Sequence, residues 1–246
     1  MKNLIFAFVL LMSSQETFSQ PNPASEGFDL AGSDAKAVEI ADKVMNAMGG
    51  KKNWDMTRYL TWNFFGSRKH TWDKWTGDVR VDGLKDKSVA LLNINTNVGR
   101  IFRNGAEVSN ADSLKKYLKM AKSQWINDSY WLLMPFKLKD SGVTLKYLGE
   151  GKTEKNEEAY LLGLHFKEVG DTPQNKYQLW VTKSDDLVKQ WSYYAKSENE
   201  KPNFTLPWQN YVKMGKIMIT GDRGERKITD INVLKKLDKK VFTDFN

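Results

Sequence analysis

The chain has 246 residues and a net charge of +8, from 38 Lys and Arg against 30 Asp and Glu. Its 40% hydrophobic and 12% aromatic content suffices for a packed core, and 17 Gly and 6 Pro are too few for a fibrous or low-complexity chain. It has no cysteine, which excludes disulfides, zinc-thiolate and iron–sulfur centres and a thiol nucleophile.

The N-terminus reads as an export signal. Lys2 supplies a positive start, residues 4–12 (LIFAFVLLM) form an apolar run, and Thr17 and Ser19 put small residues at the −3 and −1 positions before Gln20. The run is too short to cross a bilayer, which needs about 20 helical residues. With no cysteine to carry a lipid, residues 1–19 are expected to be cleaved and the product to be a periplasmic or secreted protein. Residues 20–33 (QPNPASEGFDLAGS) show no hydrophobic period and are expected to be a flexible leader. The folded domain, a single one, then covers 34–246.

Ser33 reads as a helix N-cap, and Val38, Ala41, Val44, Met45 and Met48 recur at spacings of three and four before Gly49 and Gly50 end the run. Residues 58–65 switch to period two, with Leu60, Trp62 and Phe64 on one face. Further strands are expected over 76–82, over 87–94 with Val89 and Leu91 inward, and over 98–103, where Asn104 and Gly105 make a turn. A second helix starts at Asn110 or Asp112, carries Leu114, Tyr117, Leu118, Ala121 and Trp125, and stops at Pro135. Period-two segments resume over 143–149, 159–167, 176–183, 187–195, 208–220 and 227–234. The expected fold class is α+β: a single domain with an open half-barrel antiparallel sheet of about nine to eleven strands, covered by two main helices.

The aromatic content carries the functional reading. An open sheet of this width has a face too broad for its own side chains to fill, and such faces hold ligands. Leu60, Trp62, Phe64, Val89, Leu91, Trp125, Trp180 and Trp191 are therefore expected to line an apolar cavity, although for any single Trp plain core packing is the commoner role. Lys115, Lys116, Lys119 and Lys122 on the second helix, and Lys235, Lys236, Lys239 and Lys240 near the end, suit an anionic membrane surface or simply a solvated face. Nucleic acid is not expected as a partner, since an exported chain without a binding motif does not meet it.

Catalytic signatures are lacking. His70 and His165 are far apart and give no metal-ligand spacing, so neither a metal nor a cofactor is expected. No G-x-S-x-G elbow, P-loop or H-E-x-x-H occurs. Asp73, Asp78 and Asp82, or Glu154, Glu157 and Glu158, are the carboxylates available for a glycosidase pair, but their types are as common in turns. The expectation is a binding protein and not an enzyme.

Several stretches carry a resemblance: AVEIADKVMNAMGG, HTWDKWTGDVRVD, SYWLLMPFKL and YQLWVTKSDDLVKQWSYYAK. Set between an export signal and a run of antiparallel strands, they resemble the LolA-like superfamily of periplasmic lipoprotein carriers, in an exported branch of unknown function. The resemblance implies an open half-barrel covered by helices and a hydrophobic cavity that receives the acyl chain of a lipid or acylated protein. It also implies a lid-controlling arginine, for which Arg58, Arg68, Arg80, Arg100 and Arg103 are candidates. The second helix would form part of that lid. The alternative is an extracytoplasmic carbohydrate binder in which Trp72 and Trp75 of HTWDKW are exposed stacking platforms beside Asp73 and Lys74. Exposure separates the two, because a lipid needs rings facing inward and a sugar needs them facing water.

Overall fold

The computed structural model describes residues 22–167 and 169–245. The expected signal peptide, residues 1–19, lies outside them.

Helix α1 (Ala35–Ala47) buries Ala37, Ile40, Ala41, Val44 and Met45 on one stripe. It ends at Gly49, whose φ of 110° and whose Cα, with Lys216 O only 2.3 Å from where a Cβ would sit, both require glycine. A short helix α2 (Lys51–Met56), which the periodicity does not reveal, follows at once. The chain then meanders through β1 (Tyr59–Phe64), β2 (Arg68–Asp73), β3 (Asp78–Gly83), β4 (Val89–Asn93), β5 (Gly99–Arg103) and β6 (Ala106–Glu107). Asn110 opens α3 (Ala111–Leu133) by accepting from Ser113 N at 3.0 Å, and a 3-10 turn through Pro135 (Met134–Lys137) closes it. The second half holds β7 (Val143–Lys152), β8 (Glu158–Phe166), β9 (Lys176–Thr182), β10 (Val188–Tyr194), β11 (Phe204–Pro207), β12 (Val212–Met214), β13 (Ile217–Ile219), β14 (Asp222–Arg223) and β15 (Arg226–Leu234).

All these pairings are antiparallel. The strands are divided where one continuous sheet was expected: the order is β14-β15-β1-β2-β3-β4-β5-β6 in one sheet and β11-β10-β9-β8-β7 in the other. The two meet at β11 and β14, where Gln209 N donates to Asp222 O at 3.2 Å, so the surface is nearly continuous and, among the described residues, no barrel closes. The expected strand over 208–220 is instead a buried Trp208 and a small hairpin of β12 and β13, broken by Gly215 at φ 62°. Among the described residues, eleven strands have four residues or more, within the nine to eleven expected, and the remaining four are shorter pieces.

Helix α3 lies on the inner face of the first sheet, bringing Trp125 edge-on to Trp72 at 5.1 Å. The core sits beneath it: Leu60, Trp62 and Phe64 of β1, Val79 and Val81 of β3, Ala90 and Leu92 of β4, and Ile101 of β5. The outer face is covered near its end by the C-terminal segment, where Arg80 donates to the carbonyls of Val241, Asp244 and Phe245.

Residues 22–33, expected as a flexible leader, are tied to the fold. Asp29 N donates to Val143 O and Asp34 N to Leu145 O, while Ser33 Oγ accepts from Leu145 N and Asp34 Oδ2 from Tyr147 N. Ser33 thus serves β7 rather than capping α1, whose N-cap is Asp34. At the start of the segment Asn22 donates to Asp42 O and Asn46 Oδ1, and Lys139 Nζ donates to Asn22 O. Polar groups bonded to β7, to α1 and to Lys139 hold it, a pattern that composition alone cannot reveal.

Candidate functional site

Between α3 and the inner face of the second sheet lies a cleft of about 650 Å³. Its floor follows from strand register. Phe166 of β8, Tyr177 of β9, Tyr193 of β10 and Phe204 of β11 project to the same side, because Leu164 pairs with Tyr177, Tyr177 with Tyr193 and Tyr193 with Phe204. Trp191 stands one rung along, opposite Leu179, and stacks on Tyr177 at 5.3 Å. The other wall is helical: Trp125, Ile126, Tyr130 and Trp131 of α3. Tyr130 stacks on Tyr177 at 5.3 Å and Trp131 meets Trp191 edge-on at 4.9 Å, so the helix end is docked on the sheet through rings. Burial holds the phenols of Tyr130 and Tyr177 well above their ordinary value, so both stay protonated.

Of the residues expected to line a cavity, Trp125 and Trp191 do. The others are placed elsewhere, each for a physical reason. Leu60, Trp62 and Phe64 share an inward face as expected, but α3 seals them into the core. Val89 and Leu91 lie on the outer face of β4, since Val89 pairs with Asp82 and Leu91 with Arg80; the inward positions are Ala90 and Leu92. Val89 also borders a separate cavity of about 320 Å³ beside Arg68, Arg103 and Gln124. Trp180 alternates outward from Tyr177, Leu179 and Val181 and pairs with Gln190. Tyr130, Trp131, Phe166, Tyr177, Tyr193 and Phe204 were not among the residues expected to line a cavity, although Tyr130 and Trp131 follow Ser123, Ile126 and Asn127 at helical spacing.

The paired-platform arrangement for a sugar is absent. Trp72 is buried, and only Trp75, 59% exposed, faces water, with its Nε1 donating to Asp55 O at 2.9 Å and Arg58 above its ring. Asp73 is occupied by Arg58, and Lys74 sits 4.5 Å over the Trp54 ring, where burial lowers its ammonium to about 8.

A buried charge cluster fixes α3 to the first sheet. Arg68 donates through Nε and Nη2 to Asp128 Oδ2 and Oδ1 at 2.7 and 3.0 Å, and His70 Nε2 lies 2.7 Å from Asp128 Oδ2. Trp62 stacks on the imidazole at 4.7 Å. Burial raises the Asp128 carboxyl, but hydrogen bonds from His70 and Arg68 outweigh it and leave it below its ordinary value. Burial lowers the His70 imidazole. With Asp128 ionised, Nε2 carries the proton, and Nδ1 has no partner to receive a second one. The cluster is closed to solvent at both His70 and Asp128, which suits a structural tie and not proton transfer to a substrate.

Arg68 and Arg103 are the lid candidates that touch α3, Arg103 lying over Tyr117 at 5.1 Å. Arg58, Arg80 and Arg100 are paired with Asp73, Asp82 and Glu107. Arg223, which was not among the candidates, is fully buried and donates to Trp131 O at 2.7 Å near the end of α3, with Trp208 against its guanidinium. Burial lowers it to about 9, so it remains charged at neutral pH.

No family model and no curated protein matches the chain. Among solved structures it is similar to a DUF1329 family protein from Desulfovibrio piger, at 12% identity over 84% of this chain and 96% of that one, with a TM-score of 0.44. It is also similar to an outer membrane lipoprotein-sorting protein domain from Vibrio parahaemolyticus, at 12% identity, 86% and 96% coverage and a TM-score of 0.42. A LolA superfamily protein from Nitrosomonas europaea matches at 13% identity, 85% and 97% coverage and a TM-score of 0.43. The arrangement seen here, antiparallel sheets abutting edge to edge with a long helix across them and no closed barrel among the described residues, is the open α+β one expected from the order of elements. At these identities none of the likenesses bears on what the chain binds.

Proposed function

We propose that this chain is an exported binding protein that holds a lipid or the acyl chain of a lipidated protein in the cleft between α3 and the second sheet. The observation that carries the reading is the cleft itself: about 650 Å³, within the ~300–1,000 Å³ typical of small-molecule sites, walled on both sides by aromatic rings. Export rests on Lys2, the apolar run 4–12 and the small residues Thr17 and Ser19. Mass spectrometry of the exported protein should find its N-terminus at or near Gln20, and an intact Met1 would contradict it. Among the described residues no helix is long and apolar enough to cross a membrane. Lys115, Lys116 and Lys119 are exposed on α3, beside an exposed Met120, and suit an approach to anionic headgroups during loading.

The test uses the uncharged probe N-phenyl-1-naphthylamine, whose fluorescence rises in apolar sites. Tyr193 borders the cleft and is half-buried, so Tyr193→Glu puts a charge where the ligand lies while taxing the core little. Affinity should fall at least about tenfold. Trp180→Glu, on the outer face of the neighbouring strand, should leave it unchanged. A wild-type protein that binds neither this probe nor any lipid rules the reading out, as does equal loss in the two variants.

A further inference from the structure

The cavity of about 320 Å³ at the end of the first sheet is built differently from the aromatic cleft. It lies nearer the start of α3, whose Tyr117, Met120, Ala121 and Gln124 border it at the i, i+3, i+4, i+7 spacing of one helix face. Gly83, Ala90 and Ala121 border it with little or no side chain, which leaves the space open. Three cations line it, Arg68, Lys85 and Arg103, against one carboxylate, Asp86. Arg68 spends Nε and Nη2 on Asp128 and keeps Nη1. Arg103 meets Asp86 through Nη2 at 3.2 Å, with the two side chains 29% and 46% exposed, a pairing of little net strength that a ligand can share. Lys85 forms no ion pair among the described residues. Beside these charges stand Val81, Ile101 and the Tyr117 ring. A bare anion would leave that wall unused, and a wholly apolar ligand would strip water from the cations without replacing it.

We propose that this cavity is a second ligand site, for a small amphipathic organic anion. Its carboxylate or phosphate head is held by Arg103, Lys85 and Nη1 of Arg68, and its ring-sized apolar body lies against Val81, Ile101 and Tyr117. The size agrees, since the volume is about twice the ~150 Å³ that accommodates a benzene ring in a protein cavity. Guanidinium and ammonium groups only donate, and carboxylate and phosphate oxygens accept from them in short, charge-assisted bonds. The site shares no lining residue with the aromatic cleft and does not rest on the lipid reading.

The experiment is isothermal titration of the purified exported protein at pH 7.5 in a low-salt, phosphate-free buffer. Phenyl phosphate and benzoate share a ring and differ in their head. Benzyl alcohol keeps the ring without the charge, and inorganic phosphate keeps the charge without the ring. At least one of the two aromatic anions should bind with a Kd below about 1 mM and at least about tenfold more tightly than either control, and the tighter of the two identifies the head. Arg103→Gln should weaken that anion at least about tenfold, the effect of losing a charge-assisted hydrogen bond. Lys85→Gln, at an exposed turn position, should weaken it about threefold and serves where Arg103→Gln is poorly folded. Tyr193→Glu, in the aromatic cleft, should leave it unchanged. Controls that bind as tightly as both anions, affinity unchanged in both Arg103→Gln and Lys85→Gln, or a loss confined to Tyr193→Glu overturns the proposal. A wild-type protein that binds neither aromatic anion also overturns it, and leaves the lipid reading, which the naphthylamine probe tests, untouched.

Discussion

Replacing Asp128 with alanine should destabilise the protein by about 3 kcal/mol, the lower end of the ~3–5 kcal/mol found when one partner of a buried ion pair is removed. The variant leaves His70 Nε2–H and the Arg68 guanidinium facing each other beneath α3 without an acceptor. The cost stays at the lower end because the Arg68 side chain, 24% exposed, reaches water. Urea unfolding at pH 7.5 measures it, and a loss under about 1 kcal/mol would show that the cluster is not a fastening of α3. Acidification probes the same site. His70 is lowered in the folded state, so below its ordinary value of 6.5 the unfolded chain takes up a proton that the folded one refuses, and stability falls. Asp128 is also lowered, so its contribution is present above 3.8 and lost as pH falls through that range. Both shifts weaken the fold in acid, and Asp128→Ala should abolish the second.

Trp62→Ala should cost about 3–5 kcal/mol, as large-to-small changes of a buried aromatic do, and leave the binding of each folded molecule unchanged. Trp62 is completely buried, stacked on His70 and outside the cleft. Unfolding and probe titration on one sample decide it: lost binding with unaltered stability would return Trp62 to the ligand site.

The sequence reveals faces where one side of a strand is polar and hides them where it is not. In β1, Leu60, Trp62 and Phe64 alternate with Thr61 and Asn63, and the inward face is read correctly. In β4 the run Val89, Ala90, Leu91, Leu92 is buried throughout, because α3 covers one side and the C-terminal segment approaches the other, so period two carries no parity. Trp180 misleads differently, as a large ring on the outward side of β9. The cleft was the least legible feature. Its rungs join Phe166, Tyr177, Tyr193 and Phe204 through registers spanning four strands, and the pairing of strands is a tertiary fact. The individual aromatics were visible as a surplus, and their convergence was not. The charge cluster illustrates the same limit, since Asp128 meets Arg68 and His70 only after α3 has crossed the sheet.

The tethered segment before α1 gives the fold something beyond anchorage. Strand β7 ends the second sheet, and a terminal strand ordinarily offers its outward N–H and C=O groups to any extended chain that drifts by. Here the Val143 C=O, both backbone groups of Leu145 and the Tyr147 N–H are already taken by residues 29–34, through backbone and side-chain atoms. At the opposite end of the first sheet, β6 is only two residues long and offers little to copy. The segment therefore stops strand addition along the first half of β7. A chain shortened to begin at Ala35 would bare these groups of β7 while keeping every residue of the cleft.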